Sequence, residues 1–364
     1  MKLLKYKSWI LLIVLGIIWF IFSRNPILTE QYYSNGLYPY LAVVQRAILG
    51  WNPISIGDIL YAVLIVWLLY KIYKFFKEKK YKRNVGSKLL HLTKLILTVW
   101  LCFQMIWGLN YNRAGLAFQT KYIPATYSTD TLSLLTQYLI DCVNIERKSL
   151  GSTFQFPEWD DLKTTCISAY HASEKKYPFF HYNASSIKKS MYGRLGNYMG
   201  FLGYYNPFTG EAQLNKYIPD VVKPFTLCHE MAHQLGYASE SEASFASYLT
   251  CMESKHPLLV YSAHFDVLLY ALGELHYRDS IQYKNRISTL ATTVKADINT
   301  YREYANAYTN PLEPFINNMY SLFLQANNQE AGIQSYDEVV AWVNAYEEKK
   351  EMPYKILNGL QRNK

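Results

Sequence analysis

Three apolar runs lie in the first third of the chain: Trp9 to Phe22, Ile59 to Phe76 and Leu89 to Trp107. They limit what it can fold into, because each is near the length that crosses a bilayer as a helix. The expected organisation is a membrane anchor over residues 1–108, with spans at about 9–22, 59–76 and 89–107, followed by one domain over 109–364. Lys2, Lys5 and Lys7 precede the first run as in a signal peptide, but no small-residue cleavage site follows it, only Phe22-Ser-Arg-Asn-Pro26, so the run is expected to stay as an anchor. The connection between the second and third runs carries Lys71, Lys74, Lys77, Lys79, Lys80, Lys82, Arg83 and Lys88, which places it in the cytoplasm. The segment from about Arg24 to Gly57 and everything after the third run are then expected outside the cytoplasmic membrane. His91 and Lys94 make the third span the weakest; if it did not cross, the second domain would face inward.

The formal net charge of +9 invites a nucleic-acid reading, which its distribution removes. Residues 1–94 hold 14 Lys and Arg against 3 Asp and Glu, a net of +11, whereas 95–364 hold 23 against 25, a net of −2. The basicity belongs to the anchor, and nucleic acid is not an expected partner.

The chemistry concentrates in His229-Glu230-Met231-Ala232-His233, followed by Gly236, Glu240 and Glu242. On a helix, residues four apart share a face about 6 Å apart, so His229 and His233 can aim two imidazoles at one Zn²⁺. Glu230 then stands where a carboxylate can take a proton from a zinc-activated water, the chemistry of a metallopeptidase. Pro224 suits the first turn of such a helix and Gly236 its end. A catalytic zinc needs a third protein ligand and an open position. Ser239 stands where a metzincin would have its third histidine, so a glutamate from a following helix, Ser239 to Ser254, is expected instead. Glu242 shares a stripe with Phe245, Ala246 and Leu249, whereas Glu240 falls with Ser244 and Ser247 on the polar side, so Glu242 is the expected ligand and Glu240 the alternative. The competing reading of Glu242 is a capping box with Ser239 and no metal.

The run Gly203-Tyr-Tyr-Asn-Pro-Phe-Thr-Gly-Glu-Ala-Gln-Leu-Asn215, the HEMAHQLG helix and Glu240-Ser-Glu242-Ala243 resemble the gluzincin layout of edge strand, active-site helix and glutamate helix. With Asn35-Gly-Leu-Tyr-Pro-Tyr40, Gly57-Asp58 and Phe323-Leu-Gln-Ala-Asn-Asn-Gln-Glu-Ala-Gly-Ile-Gln-Ser-Tyr336, most of the chain resembles a family of bacterial membrane proteins known as a domain of unknown function. The resemblance implies a zincin-like fold and a metal site, without a substrate. It also favours a free edge at Glu211 to Asn215, along which an extended peptide would lie, over an interior strand.

Helical spacing dominates after residue 109, with helices expected around 132–143, 158–176, 257–280, 285–306, 311–329 and 336–349. Strand material is confined to about Met199–Tyr217. The expected fold is an α-rich α+β protein, three transmembrane helices followed by an extracytoplasmic zincin-like domain. Among 34 tyrosines and 8 histidines, Tyr204, Tyr205, Tyr237, His264, His276, Tyr301 and Tyr320 are open alternatives for an oxyanion donor. Five cysteines show no C-x-x-C or zinc-ribbon spacing; Cys228 and Cys251 could pair but are read as small buried residues.

The expected activity is zinc-dependent hydrolysis of peptides or proteins of the cell envelope, with Glu230 as general base. The alternative is a non-catalytic membrane scaffold or peptide-binding protein on the same fold. A transporter is disfavoured, because the three spans carry no clear repeat and Asp58 sits near a span's end.

Overall fold

The computed structural model describes residues 2–77, 85–151, 153–332, 334 and 338–350. Its longer helices, in chain order, are α1 (Lys2–Ser23), α2 (Tyr38–Leu49), α3 (Ile56–Lys77), α4 (Val85–Ile106), α5 (Thr129–Leu150), α6 (Trp159–Glu174), α7 (Lys223–Gln234), α8 (Glu240–Ser254), α9 (Pro257–Arg278), α10 (Thr292–Tyr308), α11 (Glu313–Ala326) and α12 (Val339–Lys349). Three short strands, β1 (Ile187–Lys189), β2 (Gly203–Asn206) and β3 (Glu211–Leu214), form a sheet ordered β1-β3-β2.

Helices α3 and α4 are long and apolar enough to cross a membrane, and their apolar side chains point outward. Helix α1 is likewise apolar and outward-facing, and the chain bends by 105° between it and the helical stretch Pro26–Leu49. Length and apolarity also qualify α9, but that helix is spent on the interior: its Leu259, Ala263, Val267, Leu268, Ala271 and Leu275 pack in the main core, beside Leu132, Leu135, Leu139 and Val143 of α5. The same composition serves two solvents, and what surrounds the helix decides between them.

Strand β3 pairs with β1 in parallel and with β2 antiparallel, in the register Gly203↔Leu214 to Asn206↔Glu211. It is therefore the central strand, all four residues buried. This corrects the expectation of a free edge at Glu211 to Asn215: the edge beside the HExxH helix belongs to β2, and β1 lies outside the stretch where strands were expected. Lying between two strands, β3 has both edges paired, and because all four of its residues are also buried it lacks the alternation a half-exposed strand shows.

The segment between α1 and α3 is built into the second part of the molecule. Glu30 pairs with Arg113 at 2.7 Å, and Arg113 also donates to Gly236 O. Arg46 of α2 donates to Gln234 O at 2.7 Å and to Asn183 O at 2.9 Å. Tyr38 donates to Gln234 O and Trp107 Nε1 to His233 O, so four side chains from before residue 114 hold the carboxy-terminal end of α7 and the turn after it. The Glu211 carboxylate accepts from the backbone N–H groups of Ile56 and Gly57 and from Ser55 Oγ, satisfying donors at the start of α3. Gly57 permits this approach, since a Cβ there would come within 2.3 Å of Asn206 Nδ2.

Candidate metal centre

Helix α7 starts with Pro224 in its first turn and ends where Gly236 takes φ +86°, in the left-handed region. A Cβ at Gly236 would come within 2.8 Å of the Tyr38 ring. The turn lets the Tyr237 carbonyl accept from His233 Nδ1 at 2.7 Å, while His229 Nδ1 lies 3.1 Å from Ser244 Oγ. With both Nδ1 atoms engaged, the Nε2 atoms are left to face inward, the two rings lying 4.7 Å apart.

The carboxylate they face is that of Glu240. Its Oε2 is 3.1 Å from His229 Nε2 and 3.4 Å from His233 Nε2, and its Oε1 accepts from Tyr320 of α11 at 2.7 Å. His229, His233 and Glu240 could hold a metal ion: each offers a ligand atom within 4.8 Å of the others. Two imidazole nitrogens and one carboxylate oxygen suit zinc and leave a fourth position to water or substrate.

Glu242, the expected third ligand, is elsewhere. Its Oε1 accepts from Leu116 N at 2.7 Å, and it packs against Gly115, where a Cβ would clash with it. Nor does it close a capping box, because Ser239 occupies the N-cap without a side-chain cap bond. The expectation failed because α8 is buried on most of its circumference. The stripe Glu240, Ser244 and Ser247 is the seam against α7, not a solvent face: Ser244 meets His229 and Ser247 Oγ donates to Phe225 O at 2.9 Å. Small hydroxyl side chains allow the close approach and bond across it.

Glu230 points to the other side of the same cluster. Its Oε2 is buried without a hydrogen-bond partner, and a Cβ on Gly203 of β2 would come within 2.8 Å of its Oε1. Burial, with the nearby Glu240 charge adding to it and His233 opposing, pushes the Glu230 carboxyl up to about 8. Burial lowers the proton affinity of both histidines; at His233 the Glu240 carboxylate outweighs it and raises the imidazole to about 9, whereas His229 stays lowered. Metal ligation requires both Nε2 atoms free of protons, so a cation would compete with a proton at His233.

His229 and Glu230 open on a cavity of about 480 Å³ walled by residues of β2, α8, α9, α10 and α11. Of the seven oxyanion alternatives, Tyr301 and Tyr320 reach this cavity. Tyr204 is bonded to Asp58, Tyr237 to Gln119, and Tyr205 lies against Tyr38. His276 stacks edge-on against Tyr283. His264 belongs to a second cluster with Cys142 and Glu146, where Glu146 and the Tyr248 hydroxyl already engage its two ring nitrogens. All five cysteines are free, Cys228 and Cys251 among them. Asp266 and Tyr270, also in the cavity wall, were not singled out in the sequence; their spacing of four on an apolar helix is the only signal that pairs them.

No curated protein and no solved structure matches the chain significantly. A family match covers residues 33–344, taking in most of the segment between α1 and α3 as well as the HExxH and glutamate helices. The chain belongs to the family described as "Protein of unknown function (DUF3810)".

Proposed function

We propose that this protein is a membrane-anchored zinc-dependent peptidase acting outside the cytoplasmic membrane on peptides or proteins of the cell envelope. The observation that carries the reading is the convergence of His229 Nε2, His233 Nε2 and Glu240 Oε2 beside an unpaired Glu230 carboxylate, at the mouth of a cavity. His229, His233 and Glu240 would hold the ion, which when bound supplies Lewis acidity for water and for the scissile carbonyl. Glu230 takes a proton from the attacking water and returns it to the leaving amine. Strand β2 runs past Glu230 at Gly203, so a peptide pairing with its outer edge would be carried across the base. The basic residues between α3 and α4 support a cytoplasmic connection and hence an external site.

The test is elemental analysis of the full chain in detergent, with hydrolysis of a quenched-fluorescent peptide library by wild type and Glu230→Gln. About one zinc per chain in both, with hydrolysis confined to the wild type, supports the reading. A folded wild type that takes up no zinc, or a fully active Glu230→Gln, overturns it.

A further inference from the structure

Asp266 is a buried carboxylate that the proposed hydrolysis does not use. It lies in α9, 7 % exposed, in the wall of the cavity that also holds His229 and Glu230. Among the described residues it makes no hydrogen bond and no ion pair, although Tyr301 is near enough for its phenol to be raised by the Asp266 charge, after burial. Burial alone pushes its carboxyl up to about 7. Unpaired carboxylates are costly inside proteins, and a chain that keeps one pointed into a cavity normally has a cation to set against it.

The surroundings are consistent in sign and shape. The described residues lining the cavity include three carboxylates, Glu230, Asp266 and Glu313, and no lysine or arginine. Tyr270, one turn beyond Asp266 on α9, and Tyr301 and Tyr304 of α10 add aromatic surface. An aromatic wall with an anionic floor accepts the alkyl stem of a long cationic side chain and pairs its head group.

From this geometry we infer that Asp266 is the floor of a specificity pocket that receives a lysine or arginine side chain of the bound peptide. The inference rests on the peptidase reading for the ligand being a peptide, but the cation pocket is testable without hydrolysis. Asp266 is then a specificity-determining residue, with no role in the proton transfers.

The experiment uses the zinc-loaded full chain in detergent and three probes, N-acetyl-argininamide, N-acetyl-lysinamide and N-acetyl-leucinamide, titrated by calorimetry. The expected result is at least about tenfold tighter binding of the two cationic amides than of the leucine amide, the strength of one partly desolvated charge pair. Asp266→Asn should remove that preference while keeping zinc content and a cooperative melting transition, and Asp266→Glu should keep it. Equal binding of all three amides by the wild type, or an unchanged preference in Asp266→Asn, overturns the pocket. Failure of the peptidase reading would show separately, as library hydrolysis that does not depend on Glu230.

Discussion

The Tyr320 hydroxyl donates to Oε1 of Glu240 at 2.7 Å, while Oε2 of the same carboxylate faces both histidines. One bond therefore orients the glutamate from α11, more than 70 residues away in sequence, and leaves the other oxygen directed at His229 and His233. Tyr320→Phe keeps the ring and deletes this bond. Zinc affinity should fall roughly 10- to 100-fold, the usual loss when a group orienting a ligand is removed. Competition with a chromogenic chelator measures it, and an unchanged affinity would show that α7 and α8 alone fix the carboxylate.

The two glutamates of α8 separate by metal content. Glu240→Gln should reduce bound zinc from about one per chain to near zero, since a neutral amide is a poor third ligand. Glu242→Gln should retain zinc, because its carbonyl oxygen can still accept from Leu116 N. Elemental analysis of both variants decides it; zinc lost from Glu242→Gln and kept in Glu240→Gln would reverse the assignment.

Arg46 couples the segment after the first apolar helix to the HExxH helix. Arg46→Met removes the guanidinium from over the Tyr182 ring and leaves Asn183 O without its donor and Gln234 O with Tyr38 alone. The cost should be about 2–4 kcal/mol, as for other buried carbonyls that lose a charged donor, seen as a fall of several degrees in the apparent melting temperature. A variant that melts with the wild type would mean the segment merely rests on the domain. By the same coupling, a fragment starting at 109 should bind zinc poorly.

Asp266 should make stability pH-dependent in the sense opposite to an ordinary paired carboxylate. Its folded value of about 7 lies above the usual 3.8, so between those values the folded chain holds a proton that the unfolded chain releases. Stability then falls as pH rises through that window, by on the order of 4 kcal/mol once complete above pH 7. Asp266→Asn removes the penalty. Its melting temperature should match the wild type near pH 4 and exceed it by several degrees at pH 8; a constant difference across that range would count against a buried, unpaired carboxylate. The variant that loses the cation pocket is thus the more stable one, the usual relation at binding sites.

Much of this protein is local, and what is local could be read from residue order. The i, i+4 histidines fix a two-nitrogen face because helical geometry is the same everywhere, Pro224 and Gly236 bound that helix, and runs of apolar residues mark α1, α3 and α4 whatever they touch. Periodicity stopped working where an element is buried on more than one side. It placed Glu240, Ser244 and Ser247 on the polar side of their helix, although they form the seam with α7, and it left open whether β3 was an edge or an interior strand; the resemblance favoured an edge, although the strand is central. Residues far apart in sequence came together only on folding: Tyr320 at Glu240, Arg46 at Gln234, and Asp266 on the wall of the cavity that His229 and Glu230 share. The sequence by itself determined the two histidines on one face, the glutamate beside them and the apolar helices, because these depend on one helix at a time. Only the tertiary structure decided which carboxylate faces the two histidines, its orientation and the charge of the cavity, because each depends on which surfaces of different elements are pressed together.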